Sequence, residues 1–206
     1  MKTQVVLLLI CMLFSKAMSL NCYQCLPSLT GSCTSEQTTC SDQCASSTIS
    51  VYTGEAKLQD IKMKTCSVED LCVSGSINMG IVKVTNNAQC CSTNLCNSGT
   101  PPALPKQAPN GRVCYTCNNN DCSAKVYCEG SEDRCISASV KQGGNTISVK
   151  GCVSKGFCVG SGSSSVPGIG LASVQCCEGN LCNGAEVFTL SFVLMIVPLI
   201  SSILFS

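Results

Sequence analysis

The cysteines of this chain follow one order of spacings that occurs twice. The segment Cys90–Asn97, CCSTNLCN, returns 86 residues later as Cys176–Asn183, CCEGNLCN. Five of the nine gaps within each set are identical, and the four that differ lie between the second and sixth cysteines. Loops tolerate insertions better than the elements they connect, so the repeat predicts two copies of one cross-linked domain. The first set is Cys22, Cys25, Cys33, Cys40, Cys44, Cys66, Cys72, Cys90, Cys91 and Cys96, and the second is Cys114, Cys117, Cys122, Cys128, Cys135, Cys152, Cys158, Cys176, Cys177 and Cys182.

The N-terminus has the features of a secretory signal peptide over residues 1–19. Lys2 precedes the apolar run Val5–Phe14, and small residues follow at Ala17 and Ser19. This run of about 10 residues is too short to span a bilayer, and the pattern predicts cleavage after Ser19. Cleavage would remove Cys11 and leave an even number of cysteines, which predicts disulfides in an oxidising compartment.

The C-terminus carries 19 mostly apolar residues, Val187–Phe205. No Lys or Arg follows them, whereas a stop-transfer helix is normally followed by basic residues. The compact residues Asn183, Gly184 and Ala185 precede the run, so residues 184–206 predict the propeptide of a glycosylphosphatidylinositol (GPI) anchor. Asn183 is the first choice of lipid attachment site and Gly184 the second. Because the polar spacer of such signals is short here, a retained transmembrane helix and a soluble product remain alternatives.

Composition argues against catalysis and against nucleic acid as a partner. Residues 20–183 contain 11 basic and 11 acidic side chains, so no basic surface is expected to recruit nucleic acid. The chain has no His and no Trp, which removes Ser-His and Cys-His nucleophile pairs and imidazole metal ligands. The carboxylate pairs Glu69-Asp70 and Glu132-Asp133 lie beside cysteines in turn-like sequence. We therefore expect no metal, no cofactor and no enzymatic activity.

Residues 98–112 contain four prolines and no cysteine, and predict a semi-extended linker. The linker separates a first domain, residues 20–97, from a second, residues 113–183, and its prolines would limit but not lock the angle between them. Domains of this size have a marginal hydrophobic core. Five cross-links in each, contributing roughly 2–4 kcal/mol apiece, would supply the missing stability.

Alternating apolar and polar residues predict β-hairpins in both domains. The segment Ile136–Lys150 alternates with period two on both sides of a glycine turn. The first domain has a longer version of this hairpin around Thr53–Glu55. The long loops Val73–Gln89 and Val159–Gln175 predict a third hairpin in each domain, with a Gly/Ser-rich tip at Gly160–Ser165 in the second.

These features resemble the LU domain, which is shared by the lymphocyte antigen six proteins, the urokinase receptor and the three-finger snake toxins. The resemblance is carried by Leu20–Cys25 (LNCYQC), Cys114–Cys117 (CYTC), the ten-cysteine order and the Cys-x5-Cys-x17-Cys-Cys-x4-Cys-Asn ending of both copies. It implies an all-β, disulfide-rich chain of two tandem three-finger domains. In each domain a knot of disulfides would carry three hairpin loops.

The resemblance also implies a pairing of the cysteines and a role for two asparagines. Asn97 and Asn183 would close each knot by hydrogen bonding to backbone, a role that competes with lipid attachment at Asn183. The short gap between Cys117 and Cys122 departs from the first domain. The implied pairs are Cys22–Cys44, Cys25–Cys33, Cys40–Cys66, Cys72–Cys90 and Cys91–Cys96, then Cys114–Cys135, Cys117–Cys122, Cys128–Cys152, Cys158–Cys176 and Cys177–Cys182.

In the LU family the fold displays loops and performs no chemistry. The resemblance therefore implies a GPI-anchored protein on the extracellular face of the plasma membrane that binds an unidentified extracellular or cell-surface protein. Alternatives are a secreted inhibitor similar to the two-domain phospholipase inhibitors of snake serum, and a toxin-like modulator of a receptor. We expect the middle fingers, Ala45–Thr65 and Ile136–Gly151, to carry recognition. The fingertip residues of interest are Tyr52, Glu55, Lys57, Lys141 and Asn145.

Overall fold

The computed structural model describes residues 19–26, 34–69, 72–118, 121–142, 145–158 and 171–184. Within these ranges the chain forms eleven β-strands and two short 3-10 helices, Cys96–Ser98 and Lys155–Cys158. The expectation of an all-β, disulfide-rich fold is confirmed. The predicted signal peptide up to residue 18 and the apolar tail from residue 185 lie outside the described ranges.

No helix in the described ranges is both long enough and apolar enough to cross a membrane.

The first domain consists of three antiparallel hairpins, which we number as fingers one to three. The turn of finger two contains Gly54 at φ +57°, a left-handed conformation that glycine adopts without strain. The prediction that this hairpin is longer than its counterpart in the second domain is confirmed. The fingers are β1 (Leu20–Gln24) with β2 (Glu36–Cys40), β3 (Gln43–Thr53) with β4 (Ala56–Ser67), and β5 (Gly75–Asn78) with β6 (Val82–Cys91).

The second domain repeats this plan. The predicted hairpin is confirmed as the antiparallel pair β9 and β10, and β11 pairs with the other side of β9. The turn at Gly143 and Gly144 and the tip Gly160–Ser165 lie outside the described ranges. The strands are β7 (Pro109–Asn118), β8 (Asp121–Glu129), β9 (Arg134–Gln142), β10 (Asn145–Val153) and β11 (Leu171–Cys177).

Strand β7 begins earlier than the sequence indicated. Pro109 already pairs with Glu129, although residues 98–112 were assigned to the linker. Proline lacks a donor N–H but is tolerated at the first position of a strand. The irregular connection between the domains therefore ends at Ala108.

Nine disulfides join described cysteines, and each of them lies within one domain. Cys25 is also disulfide-bonded, and Cys33, the partner that the family resemblance implies, lies outside the described ranges. The nine bonds are Cys22–Cys44, Cys40–Cys66, Cys72–Cys90, Cys91–Cys96, Cys114–Cys135, Cys117–Cys122, Cys128–Cys152, Cys158–Cys176 and Cys177–Cys182.

The cores of both domains are built largely from these cysteines. Of the twelve buried hydrophobic residues in the described ranges, eight are cysteines. The first-domain cluster is Cys22, Cys40 and Cys44, and Val126 joins the cysteines of the second. Cross-links thus occupy the positions that aliphatic side chains fill in larger domains.

Asn97 and Asn183 make the same set of hydrogen bonds in their respective domains. The Asn97 amide accepts from Tyr23 N (2.9 Å) and donates to Tyr23 O (2.8 Å) and Ala45 O (2.9 Å). The Asn183 amide exchanges two bonds with Tyr115 and donates to Ile136 O, each at 2.9 Å. Each buried amide therefore ties the first finger of its domain to the second.

The two domains share one sheet, which the sequence did not indicate. Strand β10 of the second domain pairs antiparallel with β5 of the first, through Cys152 with Asn78 and Val153 with Ile77. The pairing completes a seven-stranded sheet in the order β11-β9-β10-β5-β6-β3-β4. The expectation that the linker prolines would limit but not lock the inter-domain angle is wrong, because strand pairing and a hydrogen bond from Ser154 N to Ser76 O at 2.9 Å fix the domains to each other.

The Asn97→Ala variant is expected to lose about 2–4 kcal/mol of unfolding free energy, since it removes three hydrogen bonds and leaves buried backbone groups unpaired. Urea unfolding of the oxidised protein measures the loss. Asn94→Ala is the matched control in the same turn, because Asn94 makes one exposed bond to Asn21 N at 2.9 Å. Equal losses in the two variants would contradict a special role for the buried amide.

Candidate functional site

A buried carboxylate lies at the junction of the two domains. The side chain of Glu132, in the connection between β8 and β9, is 0 % exposed. Ser76 Oγ donates to its Oε1 at 2.6 Å, and Glu129 N donates to its Oε2 at 2.7 Å. Asn78 Nδ2 lies 3.4 Å from the same Oε2. Strand β5 of the first domain thus supplies donors to a carboxylate of the second.

Lys83 supplies the positive charge of this junction. Its Nζ lies 3.2 Å from Glu132 Oε1 and 2.6 Å from Glu129 Oε2, so one ammonium contacts two carboxylates across the domain boundary. Both carboxylate oxygens of Glu132 already accept hydrogen bonds and are closed to solvent. A carboxylate in this position cannot exchange a proton with a substrate, so Glu132 is unsuited to acid–base catalysis. The cluster acts as a structural contact between the domains.

The face of the first-domain sheet that meets this cluster is polar. Directly paired residues of antiparallel strands point to the same side of a sheet. The register therefore places three cross-strand pairs together, namely Thr48 with Asn87, Ser50 with Thr85 and Tyr52 with Lys83. Ser76 of β5 also pairs with Thr85 and shares this face. It is unusually rich in hydroxyl and amide groups for a covered surface.

The linker covers part of this polar face. Thr48 Oγ1 donates to Pro101 O at 2.6 Å, and Asn87 Nδ2 donates to Pro102 O at 2.8 Å. Further along, Gly130 N of the second domain donates to Ala108 O at 3.0 Å. The prolines supply carbonyl acceptors to the polar side chains below them, so the linker forms part of the folded structure.

Lys106 of the linker forms an ion pair with Glu55 in the turn of finger two. The hydrogen bond from Lys106 holds the pKa of Glu55 below its ordinary value. The same contact raises the pKa of Lys106. Both side chains are exposed, so this pair orients the linker over the fingertip and contributes little stability.

The tips of fingers two and three of the first domain are joined. Gly54 N donates to Ile81 O at 2.9 Å. Ile81 is 59 % exposed and Leu58 is 63 % exposed. Val51 pairs with Gln59 and Tyr52 with Lys57, so Leu58 is the extra residue of a β-bulge. Bulges redirect side chains, and here one presents a large apolar group to solvent.

The fingertip residues that the sequence analysis named differ in their exposure and in their contacts. Tyr52 is half-buried against the linker side of the sheet, and Glu55 is exposed in its ion pair. Lys57 pairs with Asp60 at 2.8 Å, which lowers the pKa of Asp60. The side chains of Lys141 and Asn145 lie outside the described parts of the chain. The sequence analysis did not name Leu58 and Ile81. Their position, as apolar residues beside predicted turns, is the signal that could have identified them.

The two candidate attachment residues are both engaged in the fold. Asn183 is buried, as described above, and Gly184 N donates to Leu181 O at 3.1 Å. Lys150 Nζ donates to Gly184 O at 2.9 Å. A Cβ at Gly184 would lie 2.7 Å from Cε2 of Tyr115. Replacing either residue would therefore disturb the knot as well as the attachment signal.

One group of cysteines has the proximity of a metal site. The sulfur atoms of Cys114, Cys128 and Cys152 lie within 4.8 Å of one another. Cys114 is bonded to Cys135, and Cys128 is bonded to Cys152. Metal coordination requires thiolates, so these oxidised sulfurs are structural.

A family model described as the u-PAR/Ly-6 domain matches residues 18–99 and 110–185. The urokinase plasminogen activator surface receptor of Mus musculus is 33 % identical over 105 residues, covering 46 % of this chain and 32 % of the receptor. The receptor of Bos taurus is 29 % identical over 104 residues, with the same coverage. The chain thus spans about a third of these receptors. The phospholipase A2 inhibitor NAI of Notechis ater is 29 % identical over 170 residues, covering 73 % of this chain and 84 % of the inhibitor.

The Glu132→Ala variant is expected to lose about 3–4 kcal/mol of unfolding free energy, because it leaves Ser76 and the Glu129 amide without their buried acceptor. Urea unfolding measures the change. The control is Glu178→Ala, which removes an exposed carboxylate 3.2 Å from Arg134 and should cost less than about 1 kcal/mol. A loss at Glu132 no larger than the control would refute the structural role of the buried carboxylate.

Proposed function

Because the chain belongs to the u-PAR/Ly-6 domain family, we propose that it is a non-enzymatic, GPI-anchored cell-surface protein that recognises an extracellular protein through its fingers. The observation that carries the proposal is the joined tip of fingers two and three, where Leu58 and Ile81 expose apolar side chains. The tip belongs to a sheet continuous across both domains. A continuous sheet preorganises the contact surface in the free protein, and preorganisation lowers the entropic cost of binding a partner.

The first domain supplies the proposed contact surface. Large exposed apolar side chains rimmed by polar groups are typical of protein-binding sites. Lys57 and Asp60 provide an exposed ion pair beside Leu58. The linker residue Lys106 is tied to Glu55 in the same turn. We therefore place recognition on this tip and treat the middle finger of the second domain as a secondary contact.

The anchor is proposed from the sequence around the C-terminal tail. Compact residues at positions 183–185 followed by the apolar run Val187–Phe205 are the pattern of a GPI signal. The buried amide of Asn183 already bonds to Tyr115 and Ile136. Attachment at Gly184 would leave that amide in place and add the lipid one residue beyond the knot, so we favour Gly184 over Asn183.

A secreted inhibitor is the second candidate. The observation that favours it is the share of each relative that this chain matches. The match covers 84 % of the length of the Notechis ater phospholipase A2 inhibitor, but only 32 % of the length of the mouse receptor. Under this alternative the protein would accumulate in the culture medium without lipid and would inhibit a phospholipase A2 in a purified assay.

Phosphatidylinositol-specific phospholipase C should release the protein from the surface of intact expressing cells, because the proposed lipid is its only membrane attachment. Flow cytometry before and after treatment measures the release. A stop codon after Gly184 provides the matched control, since it preserves every described residue and should send the protein directly to the medium. Retention after lipase, with the peptide Ser201–Ser206 still detected, would show that the tail spans the membrane instead.

The double variant Leu58→Ser with Ile81→Ser should reduce binding to a cell-surface partner captured by cross-linking to the wild-type protein. We expect the affinity to fall about tenfold or more, because each of the two aliphatic side chains would contribute roughly 1 kcal/mol or more once the partner buries it. Surface plasmon resonance with the captured partner measures it. Thermal stability should change little, because both side chains are exposed in the free protein.

Val68→Ser is the matched control, because Val68 is 45 % exposed just after the end of β4, away from the tip. Its affinity should equal that of the wild type. Undiminished binding by the double variant would move the contact surface away from the first-domain tip and defeat this part of the proposal.

A further inference from the structure

Finger one of the second domain has aromatic, aliphatic and basic side chains on one side. The register pairs Val113 with Tyr127 and Tyr115 with Lys125. Directly paired residues of antiparallel strands point to the same side, as do residues two apart along a strand, so these four side chains share one face. Tyr127 is 66 % exposed and Lys125 is also exposed, whereas Val113 and Tyr115 are half-buried. We name this set the finger-one face.

The corresponding surface of the first domain is polar. The two domains can be compared position by position from the first cysteine of each set, Cys22 and Cys114, because both begin the same pairing of strands. Three exposed polar residues of the first domain then replace the aliphatic, basic and exposed aromatic residues of the second, namely Asn21, Gln37 and Thr39 in place of Val113, Lys125 and Tyr127. The fold therefore does not require such side chains here, and their presence in the second domain indicates a contact that the first domain lacks.

The described chain ends against the finger-one face. A Cβ at Gly184 would lie 2.7 Å from Cε2 of Tyr115, so the backbone of Gly184 packs on the tyrosine ring. Lys150 Nζ donates to Gly184 O at 2.9 Å and holds this carbonyl beside the ring. The apolar run Val187–Phe205 follows closely along the chain. Membrane attachment, whether by a lipid at Gly184 or by the run itself, would therefore begin next to this face.

The charge of Lys125 is not used by the acidic residues of its own hairpin. Lys125 takes part in none of the ion pairs found among the described residues. At one end of β8, Glu129 is bound by Lys83 of the first domain at 2.6 Å. At the other end, Asp121 accepts from Ser123 N at 2.9 Å. The ammonium group of Lys125 is thus available to a phosphate oxygen outside the protein.

We propose that the finger-one face lies on the phospholipid headgroups of the membrane to which the protein is attached. The inference rests on the proposed membrane attachment, and it adds the orientation of the protein on the bilayer. Tyrosine suits this boundary because its ring is apolar and its hydroxyl is polar. Lysine suits it because the aliphatic stem covers apolar surface while the ammonium reaches the phosphates. Attachment beside the face keeps the effective concentration of lipid high, so a weak contact is sufficient.

The direct test uses tryptophan fluorescence, because the chain has no tryptophan of its own. Tyr127→Trp is the test variant, and Thr39→Trp, at the corresponding exposed position of the first domain, is the matched control. Each protein is purified from expressing cells in its membrane-attached form and reconstituted into phosphatidylcholine vesicles with or without brominated acyl chains. Bromine should reduce the emission of Tyr127→Trp about twofold or more, because interfacial side chains lie about 5–10 Å into the boundary between headgroups and acyl chains. The emission of Thr39→Trp should not change.

A second pair of variants tests the role of the lysine. Lys125→Gln gives the second domain the residue type that the first has at Gln37. Made in the Tyr127→Trp protein, on vesicles that contain phosphatidylserine, it should lower the ratio of membrane-contacting to non-contacting molecules about fivefold, the loss expected for one basic residue near an anionic surface. Lys155→Gln removes an exposed lysine outside finger one and should leave the quenching unchanged.

Three results would overturn the proposal. The first is the absence of quenching in Tyr127→Trp, or equal quenching in Tyr127→Trp and Thr39→Trp. The second is a shift of the Tyr127→Trp emission to shorter wavelength without quenching by bromine, which would mean that a second copy of the chain covers the face. The third is an equal effect of Lys125→Gln and Lys155→Gln, which would show dependence on net charge alone.

The outcomes also separate this inference from the proposed anchor. If Tyr127→Trp is quenched but lipase does not release the protein from cells, the face is supported and the tail spans the membrane in place of the lipid. If lipase releases the protein and Tyr127→Trp is not quenched, the anchor stands and the face is wrong. Recovery of the protein only from the medium would contradict both, since no membrane would then hold the face.

Discussion

The fold depends on covalent cross-links that take the place of an apolar core. Two-thirds of the buried hydrophobic residues in the described ranges are cysteines. Of the nine described bonds, Cys117–Cys122 lies beside the turn between β7 and β8, and the other eight lie near the base of the fingers. A domain of this size cannot bury enough aliphatic surface to be stable by that means alone. Once the base is closed by sulfur, the sheets above it no longer need an apolar face. This explains how Thr48, Ser50 and Ser76 can line a covered surface.

That polar surface in turn specifies how the domains are joined. An apolar interface tolerates sliding, but a buried carboxylate is stable only where its donors are in place. Glu132 contacts Ser76 and Lys83 in the observed arrangement of the two domains. A different docking of the domains would leave the buried carboxylate without these partners. The close approach of β10 to β5 adds a steric condition, since a side chain at Gly151 would overlap the carbonyl oxygen of Asn78. Charge, hydrogen bonding and shape thus favour the same orientation.

The features that could be predicted from sequence are those with local signals. Period-two alternation around glycine turns located the hairpins, and the repeated cysteine spacing indicated two domains of one fold. The shared sheet had no such signal, because β5 and β10 are joined by only two residue pairs from segments more than 70 positions apart. Glu132 sits in a turn-like stretch beside a cysteine, and its burial depends on a lysine 49 positions earlier in the chain. Long-range electrostatic pairing of this kind leaves no periodic trace.

The shared sheet also determines how the molecule would respond to mechanical load. A pull applied between the first-domain fingertip and the last residues of the second domain must cross the boundary between them, and none of the nine described disulfides does so. The load therefore falls first on the two residue pairs that join β5 to β10 and on the contacts of Lys83 with Glu129 and Glu132, while disulfides hold the knot of each domain. Rupture there would free the linker from Thr48 and Asn87 and let the domains separate by the length of that segment. The junction would behave as a tether that lengthens under force without unfolding either domain.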